Sequence, residues 1–230
     1  MTVPALQTRG LASGYGDVSI VEDLSITVDP GEVVALLGPN GAGKTTALLT
    51  IAGDLRPLAG TLEIAGRPVT DPLFRRAQRG MALVTDDRAV FRELTVAEDL
   101  RLSDGDPDAA VRIFPALGRL MHRTAGLLSG GEQQMLGLGR ALARKPALLL
   151  ADELSLGLSP LVVRDLFAAV RAMADAGTAI VLVEQQIRLV LGICHRGYVL
   201  HHGRVGIAGT AAELLRDADE IERSYLATAL

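Results

Sequence analysis

Gly38-Pro39-Asn40-Gly41-Ala42-Gly43-Lys44-Thr45-Thr46 decides the reading of this chain. The nine residues fit the spacing G-x-x-x-x-G-K-[ST]. The apolar run just before them, Glu32–Leu37 (Glu-Val-Val-Ala-Leu-Leu), predicts a short buried strand, and Thr45–Ala52 after them predicts a helix. A strand running through such a loop into a helix is the context that separates a phosphate loop from an ordinary Gly-rich turn. Glycines let the backbone take positive φ and turn successive N–H groups inward. The helix N-terminus adds partial positive charge. Lys44 is then placed to reach the β- and γ-phosphates of a nucleotide, and Thr45 to hold Mg²⁺. The chain has only two lysines, Lys44 and Lys145, so a lysine at this position does not follow from a lysine-rich composition.

The second informative stretch is Ala147-Leu148-Leu149-Leu150-Ala151-Asp152-Glu153, a buried strand over Ala147–Ala151 that ends in two carboxylates. A strand ending in acids is common by itself. After a phosphate loop it suggests a division of labour, with the first carboxylate in the Mg²⁺ shell and the second polarising the attacking water. Asp152 is thus the candidate metal residue and Glu153 the candidate general base.

Working outward, Leu6–Ala12 and Ser19–Val28 alternate weakly and predict antiparallel strands with a turn around Gly14–Asp17, and Gly60–Val69 predicts a hairpin centred on Ala65-Gly66. Gly80–Thr85 and Thr178–Val183 are short apolar strands, and Tyr198–His201 and Arg204–Ala208 flank a turn at His202-Gly203, read as a solvated hairpin end. Helices are predicted over Thr95–Leu102, Asp108–Leu120, Gly131–Arg144, Leu161–Ala174 and Thr210–Leu230, with a turn at Asp104–Pro107. Strands alternating with helices imply an α/β fold built on a mostly parallel sheet, and the early strands and hairpin imply a second, antiparallel β subdomain. Residues 92–128 carry helices and no strand, which marks a small α-helical subdomain. The expected organisation is a single domain over 1–230, with residues 1–91 and 147–230 as α/β core and 92–146 as helical subdomain plus the helix behind it.

Bulk properties narrow the function classes. The chain has 230 residues, is 49% hydrophobic and 22% charged, and carries a net charge of −4. That length supports one good-sized core, and the acidic balance argues against a broad nucleic-acid footprint. Cys194 stands alone, so no internal disulfide forms and a reducing compartment is expected. The N-terminal stretch lacks a signal-peptide pattern, and no apolar run reaches the length of a membrane span. Any work at a membrane is therefore expected from its surface, through a partner. Arg75-Arg76-Ala77-Gln78-Arg79 is a basic cluster that reads as a solvated helix face or as a contact for acidic lipid or a partner.

Leu127-Leu128-Ser129-Gly130-Gly131-Glu132-Gln133-Gln134 precedes the helix to Arg144. Ser129 and Glu132 make the S-x-x-E of a capping box, and the added glycines allow a phosphate to approach the helix N-terminus. Leu-Ser-Gly-Gly-Glu-Gln also resembles the signature motif of the ABC (ATP-binding cassette) family. With Gly38–Thr46 before it and Leu148–Glu153 after it, the three motifs stand in that family's order, and the resemblance spans essentially the whole chain.

This resemblance implies a P-loop NTPase (RecA-like) core and ATP with Mg²⁺ as ligands. It also implies two subunits sandwiching two nucleotides, each closed by one phosphate loop and the partner's signature. On that analogy Ser129, Gly130, Gly131 and Glu132 meet nucleotide bound to the other subunit, and Tyr15 stacks on adenine. Arg88–Leu100, Phe114–Leu117, Leu154–Pro160, Val183–Gln186 and Arg196–Leu200 are similar to one subgroup, the second ATPase subunit of branched-chain amino-acid importers, with urea-type importers as relatives. The implied partners are transmembrane permease subunits, a sister ATPase or a second copy, and indirectly an extracytoplasmic substrate-binding protein. The implied location is the cytoplasmic face of the membrane.

The chain departs from the family pattern in several places. Asp86 replaces the loop glutamine that senses Mg²⁺ and the attacking water, and Gln185 replaces the switch histidine, so both join Glu153 as candidate catalytic residues, with Asp86 also a candidate metal residue beside Thr45 and Asp152. Gln185 can hydrogen-bond a γ-phosphate but cannot carry a proton charge. Leu154 stands for the usual proline after the catalytic acid, Ser159 for the aspartate of the following loop, and the stretch between Leu100 and Leu127 is short. These departures keep a second reading open, an ATP-gated clamp with weak hydrolysis. A soluble ABC ATPase acting on ribosomes or DNA is a third, although the chain shows no tandem cassette or heptad arm.

Overall fold

The computed structural model describes residues 3–87, 90–103 and 105–227. The chain opens with β1 (Leu6–Tyr15) and β2 (Val18–Leu24), paired antiparallel, and β3 (Thr27–Val28), which pairs with the start of β1. It then crosses to a second sheet as β4 (Val33–Leu37), enters the Gly-rich loop, and continues as α1 (Lys44–Ala52). β5 (Ala59–Ile64) and β6 (Arg67–Pro68) return to the first sheet, giving the order β2-β1-β5-β6 with β3 beside β1. A short α2 (Leu73–Gln78) leads to β7 (Met81–Val84).

Three helices follow, α3 (Val96–Arg101), α4 (Pro107–Ile113) and α5 (Gly130–Ala143), with 3₁₀ turns at Pro115–Arg119 and Ala125–Leu127. The α/β alternation then resumes with β8 (Leu148–Asp152), α6 (Pro160–Asp175), β9 (Ala179–Glu184), α7 (Ile187–Leu191) and the hairpin β10 (Arg196–His201) and β11 (Arg204–Thr210). Helices α8 (Ala211–Arg216) and α9 (Ala218–Ala227) close it. The second sheet runs β11-β10-β4-β9-β8-β7, parallel from β10 to β7 with β11 antiparallel at the edge.

The parallel strands read as unbroken apolar runs because both faces of their sheet are covered. Val33, Ala35 and Leu37 of β4, Leu149 and Ala151 of β8, and Ile180 and Leu182 of β9 pack with α5, α6 and α7. The alternate residues Val34, Leu36, Leu148, Leu150, Val181 and Val183 face α1 and the antiparallel sheet. Side chains alternate along a strand, so one apolar run supplies two cores. Each fully buried Val, Leu or Ile side chain contributes about 1.5–3 kcal/mol.

Several elements depart from the expectation. β1 runs on to Tyr15, with register shifts between Leu11 and Gly14. A Cβ on Gly14 would stand 1.8 Å from the Val18 carbonyl oxygen, so the tight return into β2 requires glycine there. The helix expected over Asp108–Leu120 stops at Phe114, whose φ of −125° and ψ of 87° lie outside the helical region. Pro115 is the reason, since the residue before proline is pushed out of the helical region. The expected tail helix is two helices, broken at Asp217. α7, with five residues and no side-chain cap, left no mark in the periodicity, and α2, with six residues and no side-chain cap, was marked only by the basic cluster read as a helix face.

The basic cluster is in part the solvated helix face expected, with Arg75 and Arg79 exposed, and one of its arginines departs from that reading. Arg76 is buried and donates to the carbonyls of Thr50 and Ile51 at 3.1 and 2.6 Å and of Asp71 at 2.7 Å. It satisfies the Ile51 carbonyl, left open at the end of α1, and adds a second donor to the Thr50 carbonyl, which also accepts the Gly53 N–H at 3.1 Å. Arg79 pairs with Asp71 on the surface. Arg88 and Ala89, at the start of one subgroup-like stretch, Asp104 of the expected turn, and the last three residues of the expected tail helix lie outside the described residues.

Candidate active site

Strand register builds the site. Leu37, the last residue of β4, lies opposite Glu184 at the end of β9. Asp152, the last of β8, lies opposite Val183, and Val84, the last of β7, opposite Ala151. The carboxyl ends of four neighbouring parallel strands therefore deliver Gly38, Glu184-Gln185, Asp152-Glu153 and Thr85-Asp86 to one edge, where open α/β sheets bind ligands.

The loop after β4 is held by conformation and by neighbours. Gly43 caps α1 with φ of 97° and ψ of 6°, and a Cβ there would stand 2.6 Å from Val21 Cγ2. Behind the loop, the β10–β11 turn is not a free hairpin end. Gly203 donates its N–H to the Ala42 carbonyl at 3.2 Å and accepts the Glu22 N–H at 2.8 Å. A Cβ on Gly203 would stand 2.1 Å from the Ile20 carbonyl oxygen. The antiparallel sheet and the far hairpin thus brace Gly38–Thr46 from behind.

Lys44 is buried, and its Nζ donates to the carbonyls of Gly38 and Pro39 at 2.9 and 3.0 Å. Burial lowers its pKa, while the charges of Glu153, Asp152 and Glu184 act the other way. Thr45 hydrogen-bonds the Asp152 carboxylate. Burial pushes Asp152 up to about 6; the Thr45 bond opposes this, the charges of Glu153 and Asp86 add to it, and Lys44 opposes it. Asp152 Oδ1 is buried and has no hydrogen-bond partner among the described residues. An orphaned carboxylate oxygen beside a threonine hydroxyl fits a divalent cation, since an unpaired buried charge is costly unless it is coordinated. Among the described residues no three His, Cys, Asp or Glu side chains cluster to hold a metal on their own.

Glu153 follows Asp152 with φ of 46°, in the left-handed region. Its N–H donates to Val183 O at 2.9 Å, and its Oε1 accepts a 2.6 Å hydrogen bond from Gln185 Nε2. Asp86 is exposed on the turn after β7, close enough for its charge to act on Asp152. Tyr15 ends β1 with its ring 54% exposed, on a strand that packs against α1.

The signature residues stand elsewhere. Ser129 caps α5: its hydroxyl accepts the Glu132 N–H at 3.4 Å, and its own N–H donates to Glu132 Oε2 at 2.7 Å. α5 packs on α3, α4, α6 and β7, whereas α1 packs on β1, β2, β8 and β9. The structure therefore brings together Lys44, Thr45, Asp86, Asp152, Glu153 and Gln185, and leaves Ser129, Gly130, Gly131 and Glu132 outside that group, at the start of a helix that packs on other elements than α1 does. A Cβ on Gly131 would stand 3.1 Å from Val162 of α6, so close helix packing also favours glycine at that position.

Sequence reasoning missed Glu184, Ser155 and Gly203 as parts of this region. Glu184 carried a usable signal, an acid ending an apolar strand as Asp152 does. The other two act through tertiary contacts that leave no local pattern.

The family model described as ABC transporter matches residues 21–155. The chain belongs to the ABC transporter ATP-binding family. As a member of it, the protein is an ABC-type ATPase that binds and hydrolyses nucleotide. It is 37% identical over 222 residues to the high-affinity branched-chain amino acid transport ATP-binding protein BraG of Pseudomonas aeruginosa, covering 92% of this chain and 95% of that one. It is 33% identical over 233 residues to the lipopolysaccharide export system ATP-binding protein LptB of Escherichia coli, covering 96% of each. The fold matches a solved ATP-binding cassette of an ABC transporter in its ADP conformation, with a TM-score of 0.86, 24% identity, and 98% and 99% of the two chains covered. The ABC fold expected from the three motifs is thus the fold observed. No helix among the described residues is long and apolar enough to cross a membrane.

Proposed function

We propose that this chain is the ATPase subunit of an ABC importer, working from the cytoplasmic face of the membrane through a separate permease, with branched-chain amino acids as the transported class. The observation that carries the catalytic part is the convergence of Lys44, Thr45, Asp152, Glu153 and Gln185 at one sheet edge, closed by the Gln185–Glu153 hydrogen bond.

In this reading the N–H groups of Gly38–Thr46 and the Lys44 ammonium hold the β- and γ-phosphates, and Tyr15 stacks on the adenine. Thr45 and Asp152, with Asp86 on their flank, would hold Mg²⁺, which neutralises phosphate charge when bound. Glu153 takes a proton from the attacking water, and Gln185 keeps the Glu153 carboxylate oriented while remaining neutral itself. The work is positioning and charge stabilisation. The placement of Ser129–Glu132 on α5, which packs on other elements than α1 does, supports a dimer in which each signature meets the nucleotide of the other subunit, whether a second copy or a sister ATPase. We take residues 92–146 as the helical subdomain and the rest as core.

The groove bordered by Phe91, Leu94, Leu102, Arg140 and Arg144 supports a permease contact, since Phe91 and Leu102 are 54% and 55% exposed. The substrate class rests on the similarity to BraG, with an extracytoplasmic binding protein as the indirect partner. The LptB relatives favour a second reading, export of a lipid-linked glycan. Co-purification with the permease encoded beside it, followed by ATP turnover in proteoliposomes, tests the choice. Stimulation by leucine, isoleucine or valine with their binding protein supports import. Stimulation by lipopolysaccharide alone contradicts it.

A further inference from the structure

Glu184 ends β9 with its side chain buried, only 2% exposed. Both of its carboxylate oxygens are used by one neighbour. Oε1 accepts the Ser155 backbone N–H at 3.0 Å, and Oε2 accepts the Ser155 hydroxyl at 2.8 Å. The Gln185 backbone N–H also hydrogen-bonds this carboxylate. Ser155 is itself buried, 4% exposed, two residues beyond Glu153.

Two side-chain links therefore cross between the same two strand ends in opposite directions. Gln185, just past β9, reaches Glu153. Glu184, at the end of β9, holds Ser155. Between Asp152 and Ser155 the chain makes its turn with Glu153 at φ of 46°. A non-glycine residue in that region is strained and persists only where its surroundings over-determine it. Here the N-terminal flank is tied by the Glu153 N–H to Val183 O, and the C-terminal flank by Ser155 to Glu184. Without the second tie, among the described residues no hydrogen bond from the β9 side fixes the backbone beyond Glu153, and its carboxylate loses its reference to Gln185.

We infer that Glu184 is a positioning residue for ATP hydrolysis, acting through Ser155 to hold the left-handed turn at Glu153 and so keep that carboxylate in reach of Gln185. The inference rests on the reading of Glu153 as general base. The competing role for the same residue is electrostatic, because the charge of Glu184 acts on Lys44. The two roles separate on substitution. Glutamine in place of Glu184 keeps an oxygen for the Ser155 N–H and an amide N–H for the Ser155 oxygen, but removes the charge that Lys44 feels.

The test compares the full chain with Glu184→Gln, Glu184→Ala, Ser155→Ala and Glu153→Gln, measuring kcat for Mg-ATP and the equilibrium Kd for the same nucleotide. A misplaced catalytic group of this kind costs roughly 10- to 100-fold. Glu184→Ala is expected to lose about that much kcat with Kd within about threefold, and Glu184→Gln to stay close to wild type in both. Ser155→Ala keeps the N–H link and loses the hydroxyl link, so its kcat falls between them. Should Glu184→Ala fail to fold, Ser155→Ala decides, with a lower kcat at unchanged Kd supporting the inference and an unchanged kcat overturning it. Wild-type kcat in Glu184→Ala, where Glu153→Gln is inactive, overturns the inference alone. A raised Kd in Glu184→Gln overturns it in favour of the charge role. Full turnover in Glu153→Gln overturns the base assignment, and the inference with it.

Discussion

Gln185 Nε2 donates to Glu153 Oε1 at 2.6 Å, joining the ends of β9 and β8 across the candidate site. The donor is an amide that stays neutral at all working pH values. It orients the carboxylate and adds no titrating group of its own. Gln185→Ala is therefore expected to lower kcat roughly 10- to 100-fold while leaving ATP affinity nearly unchanged. Steady-state turnover alongside nucleotide titration checks this, and a loss confined to affinity would contradict it.

The buried carboxyl of Glu184 gives a pH dependence whose sign is fixed. Burial pushes it from an ordinary 4.5 up to about 7, against the opposing Ser155 hydrogen bonds. Between those two values the folded chain binds more protons than the unfolded chain, so stability falls as pH rises through that window. The destabilisation is complete above about 7 and absent below the ordinary value. Glu184→Gln is expected to match wild type near pH 5 and to be more stable near pH 8, by about 2–3 kcal/mol. Denaturant melts at the two pH values without nucleotide measure it, and parallel pH profiles for the two proteins would refute it.

Asp152, pushed up to about 6, makes cation-dependent binding acid-sensitive. A bound divalent cation needs the ionised carboxylate and displaces its proton. The Mg²⁺-dependent part of ATP affinity should weaken as pH falls through 6, and Asp152→Asn should show a small Mg²⁺ effect at any pH. Titrations of a fluorescent ATP analogue with and without Mg²⁺, at pH 5.5 and 7.5, report it. A Mg²⁺ effect that survives intact in Asp152→Asn would contradict the assignment.

Arg76 carries a structural prediction. Its guanidinium reaches carbonyls of Thr50, Ile51 and Asp71 from a buried position. Arg76→Ala should destabilise the fold by about 2–3 kcal/mol, the cost of leaving buried acceptors without their charged donor. Arg76→Lys should recover only part, because an ammonium cannot span the same fork. Urea denaturation measures both.

Much of this site was legible before any coordinates, and the reasons differ by residue. Gly38–Thr46 and Asp152-Glu153 are local patterns in which spacing and strand context carry the chemistry, so the sequence exposes them directly. Ser129 was equally readable as a cap. Its absence from the cluster around Lys44 follows from the placement of α5 among α3, α4 and α6, which no local pattern encodes. Arg76 looked like one of three surface arginines because burial is a tertiary property. The break at Phe114-Pro115 was written in the chain, yet the helical spacing on either side outweighed it. Gly203 reads as a plain hairpin turn until the fold sets it behind Ala42. Glu184 stood in view at the end of an apolar run, and its significance depends on Ser155, a residue 29 positions away.

The most direct measurement is ATP turnover and ATP binding by Glu153→Gln, side by side with the wild-type chain. The account predicts nucleotide affinity within about threefold of wild type, because the phosphate loop is untouched, and turnover reduced by at least about 100-fold, because the group that takes the proton from water is gone. Wild-type turnover in that variant would contradict the assignment of Glu153.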